Sequence, residues 1–340
     1  MVSEIHWTHD SEVDWSRKYK KMRQYFLRRL ALAVPTIFGV TVLIFFVMRI
    51  LPGDPLSVIV SEDAGTYVLT VEELAAVRAD LGLDKALYLQ YLDWMIAIGK
   101  GDLGHSFWSA KPISHLIKRR GPITAQIAIM SVAISWLVGL PIGILGAVRR
   151  NSWWDHITRF FVTLFMAIPA FWLGLSAVLV CVLVWMWRPP LSIYYLWSDP
   201  WLNLQITLGP AIVMGLGLGA SIARMARSSI LETYREDYVR TARAKGLKEG
   251  PIIWRHVIRN ALLPVITVSG LQMASLLGGS VAVERAFAVP GLGLSLVQAI
   301  TERDWMVIQN LVLMFGVTFV FVNLLVDLFY GWIDPRIRYG

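Results

Sequence analysis

The stretch Ile230–Pro264 reads ILETYREDYVRTARAKGLKEGPIIWRHVIRNALLP, and it is the one long polar segment set between nearly continuous apolar runs. Its pattern predicts two short helices on either side of Gly246, because glycine tolerates the left-handed conformation at which many helices end. Within the first helix, Glu236 and Arg240 stand four residues apart, in the order that favours an ion pair. Pro251 then suits the first turn of the second helix.

The second helix is predicted to bury one side, since apolar residues recur after the break at helical spacing. These residues are Trp254, Val257, Ile258, Ala261 and Leu262. Pro264 is predicted to open the next apolar run. An ordinary basic loop between two membrane spans is the alternative interpretation of the whole segment.

The composition places this chain in a membrane. Hydrophobic residues make up 56% of its 340 residues and charged residues 16%, whereas soluble domains carry about a quarter charged residues. Several apolar runs reach the roughly 20 residues that cross a bilayer as a helix. The predicted fold class is therefore an all-α integral membrane protein with six transmembrane helices. They fall near residues 30–51, 123–148, 160–185, 206–223, 264–283 and 307–330.

Around these spans the chain divides into four predicted parts. Residues 1–29 form a basic cytoplasmic segment, 30–51 the first transmembrane helix, and 52–122 an extracytoplasmic region. In that region Thr70 and Glu73 have capping-box spacing, which predicts an amphipathic helix to about Leu81. Residues 123–340 form the core domain, with five transmembrane helices and a cytoplasmic loop over 230–263.

The placement of charge indicates the orientation. The formal net charge is +8, and the segment from Arg224 to Arg259 carries nine basic residues against four acidic ones. Because cytoplasmic loops are enriched in lysine and arginine, we expect this loop and both termini to be cytoplasmic. This distribution argues against a nucleic-acid partner. The basic residues before the first span are suited to contact anionic membrane lipid as well.

Several motifs of enzymes and metal proteins are missing from the sequence. There is no GxxxxGK[ST], HExxH or GxSxG pattern. The six histidines lack metal-ligand spacing, and Cys181 is the only cysteine. The polar, basic start followed by a long apolar run predicts a retained first span and no cleavable signal peptide. We expect no enzyme activity, metal or cofactor for this chain itself. A membrane-embedded enzyme and a channel-like protein remain alternatives.

The polar segment resembles a known motif. Ala242, Ala244, Gly246 and the later Leu263 and Pro264 resemble the cytoplasmic EAA loop of ABC importer permeases. The sequence YVRTARAKGL, followed by RHVIRNALLPV, is similar to that of the dipeptide/oligopeptide permease family. Within this family it resembles the first of the two membrane subunits.

This resemblance implies a type I ABC importer permease fold, in which the loop carries a coupling helix that contacts the ATPase. Arg240 and Thr241 stand where the general motif has Glu and Ala, as they do in the peptide branch. The coupling role falls on Tyr238, Arg240, Ala242, Ala244, Lys245, Gly246 and Leu247.

Other segments carry the same resemblance, from about Tyr25 onward. The LPGDP sequence after the first span, GDLGHSF at 101–107 and the tail YGWIDPRIRYG are all similar to the family. Glu284, Pro290, Gly291 and Gly293 resemble its E-x-x-F-x-x-P-G-L-G element, which implies a position near the outer mouth of the pathway.

The resemblance also implies partners. A second homologous permease subunit would complete the pathway, two ATP-binding subunits would use ATP and magnesium, and an extracytoplasmic solute-binding protein would deliver the solute. The implied location is the prokaryotic cell membrane. Di- and oligopeptides are the implied substrates; oligosaccharides, nickel chelates and other small solutes are alternatives.

Within the spans, some residues are interpreted as functional and others as packing. Gly139 and Gly143 have the small-xxx-small spacing that lets helices approach closely. Asp327 lies near the end of the last run, where an interfacial position is expected. Residues interpreted as bordering the pathway, with helix packing as the alternative, are Phe165, Met166, Pro169, Trp172 and Met273.

Overall fold

A computed structural model describes residues 15–50, 78 and 82–333 of this protein. Its regular elements are helices. Residues Glu249–Pro251 and a π-helical turn, Ile252–Val257, lead into the eighth helix without a gap. In chain order the helices are α1 (Trp15–Ile50), α2 (Leu87–Gly99), α3 (Ile113–Val148), α4 (Trp153–Ala167), α5 (Ala170–Trp185), α6 (Pro200–Thr233), α7 (Asp237–Ala244), α8 (Ile258–Ala286), α9 (Leu292–Glu302) and α10 (Trp305–Ile333).

Among the described residues, four helices are long and apolar enough to cross a membrane: α1 from Leu27, α3, α6, and α10 as far as Leu328. Two bent pairs, α4 with α5 and residues 249–273 with 278–286, raise the number to six if each pair crosses as one span. The predicted all-helical membrane class is confirmed, and the range of four to six includes the predicted number of spans.

The helices extend beyond the predicted spans. α3 begins at Ile113 rather than near residue 123, and α6 runs from Pro200 to Thr233 rather than over 206–223. Hydropathy marks only the apolar part of a helix, whereas capping marks its end. At the start of α6 the Asp199 carboxylate accepts a hydrogen bond from the Leu202 amide at 3.0 Å, which satisfies a first-turn donor.

Two prolines behave differently. At Pro169 the chain turns through 99° between α4 and α5, because proline lacks an amide hydrogen and forces the residue before it out of the helical conformation. A proline within the apolar run of 160–185 predicts such an interruption, and the bend confirms it. The prediction that Pro264 opens a helix is wrong, since it lies inside α8. Membrane helices tolerate such a residue where neighbours pack around it, and Val265 beside it is buried.

The centre of the fold is the close contact between α3 and α6. A β-carbon at Gly139 would lie 2.8 Å from the Gly219 α-carbon, and one at Gly143 would lie 2.6 Å from the carbonyl oxygen of Ala223. Distances this short leave no room for side chains. The predicted small-xxx-small contact is therefore confirmed, with Gly219 and Ala223 as the facing residues.

Two apolar cores join the long helices of the described part of the chain. The first joins α3, α6 and α8 through residues such as Ile127, Ile222 and Val265. The second joins α1, α2, α9 and α10 around Phe45 and Leu311. Phe45, Tyr91 and Trp94 form an aromatic group that fixes α2 against α1.

The first and last long helices meet through an ion pair. Arg29 Nη1 lies 2.9 Å from Asp327 Oδ2, which gives the carboxylate of α10 a partner on α1. α1 itself begins at Trp15, inside the segment predicted as a separate basic region. The capping box at Thr70 and the tail after residue 333 lie outside the described residues.

Candidate coupling loop and translocation surface

Gly246 ends α7 as predicted. Its φ is +77°, the left-handed region that glycine enters without the penalty of a β-carbon. The Gly246 amide donates to the Arg243 carbonyl at 2.9 Å and the Leu247 amide to the Ala242 carbonyl at 3.3 Å. These two bonds are the pattern of a Schellman motif. The turn therefore fixes the direction in which the chain leaves α7.

α7 has one buried side. Val239 and Ala242, three residues apart, pack with Ile252 and Val257 into a small apolar core at the end of α6. In the π-helical turn, residues five apart stack on one side, so Ile252 joins Val257 there. The prediction that Trp254 shares this buried side is wrong. The wider turn rotates its side chain away from the apolar core and leaves it 67% exposed.

A polar cluster holds the loop across its glycine turn. The Tyr234 hydroxyl donates to Glu249 Oε2 at 2.5 Å, and Arg243 Nε donates to Glu249 Oε1 at 2.8 Å. The Arg243 guanidinium lies 4.6 Å from the centre of the Tyr234 ring. Burial, and then the hydrogen bond to Glu249, raise the pKa of the Tyr234 hydroxyl. These contacts join the end of α6, the last turn of α7 and the start of the next helical segment into one unit.

The predicted coupling residues fall into two groups. Ala242 is buried and anchors the loop, whereas the others lie on its surface. Arg240 pairs with Asp237 at 3.5 Å and not with Glu236 as predicted, because Glu236 precedes the helix as its N-cap. The Tyr238 hydroxyl accepts a hydrogen bond from the side-chain amide of Asn260, at 2.9 Å from its Nδ2. The exposed members are Tyr238, Arg240, Ala244, Lys245, Gly246 and Leu247.

A hollow of about 310 Å³ opens between α6 and α8. Its wall is mostly apolar, with Met214, Leu218 and Leu276, but it also offers the hydrogen-bonding groups of three polar residues. Gly217 faces open space, with no atom within 4 Å of a β-carbon built there. The lining includes Ala170, Met214, Gly217, Ser221, Gln272 and Ser275.

The residues interpreted from sequence as pathway borders do not gather at this hollow. Phe165 lines a different groove, between α3, α4 and α6. Met166 and Trp172 are exposed on either side of the bend at Pro169, and Met273 follows Gln272 on α8. Ser221, Gln272 and Ser275 were missed; the available signal was a glutamine and two hydroxyls within apolar runs.

The E-x-x-F-x-x-P-G-L-G element is a packed junction. The buried carboxylate of Glu284 accepts hydrogen bonds from the amides of Gly293 at 2.7 Å and Leu294 at 3.2 Å, in the first turn of α9. Pro290 and Gly291 are buried as well. A β-carbon at Gly291 would lie 2.8 Å from the Thr124 hydroxyl of α3. The element therefore fixes α9 against α3 and α8, and its position near a pathway mouth stays a prediction.

Replacing Glu284 with alanine is expected to destabilise the protein by about 3 kcal/mol, because two buried amides lose their acceptor. Glu284→Gln keeps one carbonyl oxygen and should cost about 1 kcal/mol. The apparent melting temperature of the purified chain in detergent, measured for both variants, checks this order. An alanine variant that melts with the native protein would contradict the capping role.

A buried ion pair joins α4 to α6. Arg227 reaches Asp155 with two bonds, Nε to Oδ1 at 2.8 Å and Nη2 to Oδ2 at 3.0 Å. The Asn151 amide donates to the same carboxylate at 3.0 Å, and Asp155 is fully buried. Sequence reasoning missed this pair. Its only local signal is the one carboxylate of α4, which stands in the first turn of that helix.

Comparison with protein families gives two adjacent matches. Residues 139–339 match the family described as "Binding-protein-dependent transport system inner membrane component". Residues 22–128 match the N-terminal region described for membrane components of the same transport systems. Together the matches include both the α3–α6 contact and the loop around Gly246.

Curated relatives extend over the same length. The chain is 39% identical to the glutathione transport system permease protein GsiC of Pectobacterium atrosepticum, over 94% of this chain and 100% of that protein. It is 38% identical to the dipeptide transport system permease protein DppB of Escherichia coli, over 94% of this chain and 99% of that protein.

Solved structures share the fold. A chain of the MetNI methionine ABC transporter in an inward-facing conformation matches with a TM-score of 0.51, at 18% identity, over 64% of this chain and 96% of that one. A chain of an amino acid ABC transporter matches with a TM-score of 0.50 at 14% identity, over 64% and 93%. At these identities the likeness concerns the fold alone.

Proposed function

Since the chain belongs to the binding-protein-dependent transport system inner membrane components, we propose that it is the membrane subunit of an ATP-driven importer of di- or oligopeptides. The observation that carries the substrate class is the full-length similarity to permeases named for dipeptide and glutathione transport. Glutathione is itself a tripeptide, so both names describe short peptide solutes. The chain would form half of the translocation pathway in a prokaryotic inner membrane.

In this proposal the chain crosses the membrane six times, with both bent pairs as spans. The termini and the loop at Gly246 face the cytoplasm, as the excess of basic residues there favours. The region before α3, together with α9, faces outward, where a solute-binding protein would deliver the peptide. A second homologous permease subunit would face the hollow between α6 and α8. The polar groups of Ser221, Gln272 and Ser275 suit a passing peptide backbone.

The loop around α7 would receive the force of ATP hydrolysis. Two ATP-binding subunits, which hold ATP and magnesium, would contact its exposed surface from Tyr238 to Leu247. The cluster of Tyr234, Arg243 and Glu249 joins this surface to the end of α6, so a push on α7 would move α6 instead of bending the loop. Closure of the ATPase pair would thereby reorient the hollow across the membrane.

Gly246→Trp is expected to uncouple ATP hydrolysis from transport. A β-carbon built there has no atom within 4 Å beyond the neighbouring residues, so the variant should fold, at a cost of about 1–2 kcal/mol for the left-handed backbone. The indole would instead occupy the surface assigned to the ATPase. The assay is ATP-dependent uptake of a labelled dipeptide into proteoliposomes that contain the whole complex. Uptake should fall by about tenfold, the scale of a coupling free energy of 1–3 kcal/mol, while ATPase activity remains.

Gly246→Asn is the matched control, because asparagine tolerates the left-handed conformation and adds little bulk. It should keep most of the uptake. Native rates in the tryptophan variant would overturn the coupling role of Gly246. A complete complex that shows no uptake of any di- or tripeptide, with its ATPase active, would overturn the substrate class.

A further inference from the structure

A groove of about 320 Å³ lies between α3, α4 and α6, on a different side of α6 from the hollow described above. Its floor is made of small residues, Gly219, Ala220 and Ala223, and the surface that it exposes is apolar. Larger side chains of the other two helices form its walls. They include Val138, Ile142 and Leu145 of α3 and Trp154, Phe161 and Phe165 of α4.

One end of the groove is rimmed by basic and aromatic residues. Arg149 and Arg150 follow directly on α3, and both are exposed. The Arg149 guanidinium lies 5.8 Å from the ring centre of Trp154, which itself lines the groove. Tryptophan rings prefer the level at which lipid headgroups meet the acyl chains. Arg149 therefore stands where a headgroup would lie above the groove.

The charge of this rim is uncompensated. Asp155, the acidic residue between Arg150 and Phe165 in the sequence, is fully buried and already bound by two bonds from Arg227. Arg159 lies 3.6 Å from the same carboxylate and is half exposed, so Asp155 already has two cationic neighbours. Neither Arg149 nor Arg150 has a carboxylate partner within the part of the chain that the structure describes. The rim is thus positively charged at the mouth of an apolar groove.

We propose that this groove binds one anionic phospholipid, with an acyl chain between α3, α4 and α6 and the phosphate at Arg149 and Arg150. Arginine is well suited to phosphate because its planar group donates two parallel hydrogen bonds. Basic pockets between membrane helices at the cytoplasmic side are suited to lipids of this charge. Charge complementarity favours the lipid over an apolar helix of a partner protein, which would leave both arginines without a counter-ion. The proposal requires a membrane-spanning chain and does not depend on which solute is transported.

The test uses the full chain purified with its partner subunits in mild detergent. Phosphatidylglycerol and phosphatidylcholine with the same acyl chains are titrated, and the apparent melting temperature is measured. Phosphatidylglycerol should raise it in a saturable manner, and phosphatidylcholine should have at most a tenth of that potency. Inorganic phosphate at the same concentrations tests the headgroup charge alone and should have no effect.

Two variants test the two halves of the site. Arg149→Gln with Arg150→Gln removes the phosphate contacts, and Val138→Phe narrows the groove at a half-buried position of its wall. Each should raise the half-maximal phosphatidylglycerol concentration by about tenfold, the equivalent of 1.4 kcal/mol. Lys118→Gln with Arg119→Gln, an adjacent exposed pair at the other end of α3, should leave it unchanged.

Three results would overturn the proposal. If the two phospholipids had equal effects, the charge of the headgroup would play no part in binding. If the Val138→Phe variant responded like the native protein, the acyl chain would not occupy the groove. A photoreactive residue at position 138 that crosslinks to a partner polypeptide, and not to lipid, would assign the groove to a protein contact.

Discussion

Gly139→Val should yield almost no folded protein. A β-carbon at this position would lie 2.8 Å from the α-carbon of Gly219 and 2.9 Å from its carbonyl carbon. Backbone atoms cannot rotate away as a side chain does, so α3 and α6 would have to separate. Overpacking of this kind typically costs 1–3 kcal/mol, and the full cost here should be about 3 kcal/mol or more. The yield of monodisperse chain in size-exclusion chromatography should fall by about tenfold or more.

Gly217→Val is the matched control for this result. It places the same side chain in the middle of α6, but no atom lies within 4 Å of its β-carbon. We expect a yield close to the native one, with reduced peptide uptake because Gly217 lines the hollow. A Gly139→Val chain that is obtained as readily as the Gly217→Val chain would show that α3 and α6 do not touch at this point.

Arg227→Met should destabilise the protein by about 3 kcal/mol, because the buried Asp155 carboxylate loses both bonds from Arg227 and keeps only the half-exposed Arg159 at 3.6 Å as a counter-charge. For a chain of this size the apparent melting temperature should fall by roughly 10 °C. Adding Asp155→Asn to the same chain should recover much of the loss, since a buried amide costs less than a buried charge. Thermal melting followed by size-exclusion chromatography measures all three proteins.

Arg159→Met is the control for the second arginine near Asp155. Arg159 lies 3.6 Å from the carboxylate and is half exposed, so its loss should cost less than about 1 kcal/mol. Equal effects of the two arginine variants would mean that the two bonds from Arg227 carry no special weight. A double variant less stable than Arg227→Met alone would contradict the argument from buried charge.

Features that depend on neighbours in sequence could be predicted. The turn at Gly246 follows from one glycine after a short polar helix, and the interruption at Pro169 follows from the missing amide of proline. The close approach at Gly139 was visible as a spacing of small residues, although the facing residue Gly219 was not. The membrane class followed from composition alone.

Features that depend on distant residues could not be predicted. Asp155 and Arg227 stand 72 positions apart, and no local pattern connects them. The exposure of Trp254 arises from a π-helical turn, in which the side chains point in other directions than they would in an α-helix. The spacing of apolar residues in the sequence does not reveal such a turn. The hollow was missed for another reason. The residues interpreted as pathway borders, Phe165, Met166, Pro169, Trp172 and Met273, do not include the small and polar residues that line the hollow, and their role stays a prediction.

The bend at Pro169 divides the third predicted span into two mechanical parts. The helical bonds of α4 end with the Ile168 amide, and those of α5 begin at the Pro169 carbonyl, so no bond of the ladder crosses the corner. On one side, Asp155 ties α4 to α6. On the other, α5 packs at Gly174 against the ring of Phe287. The same Phe287 ring also lies against Gly209 of α6, so α6 holds both parts. The corner between them is a joint at which α4 and α5 can change their angle without breaking a helical bond.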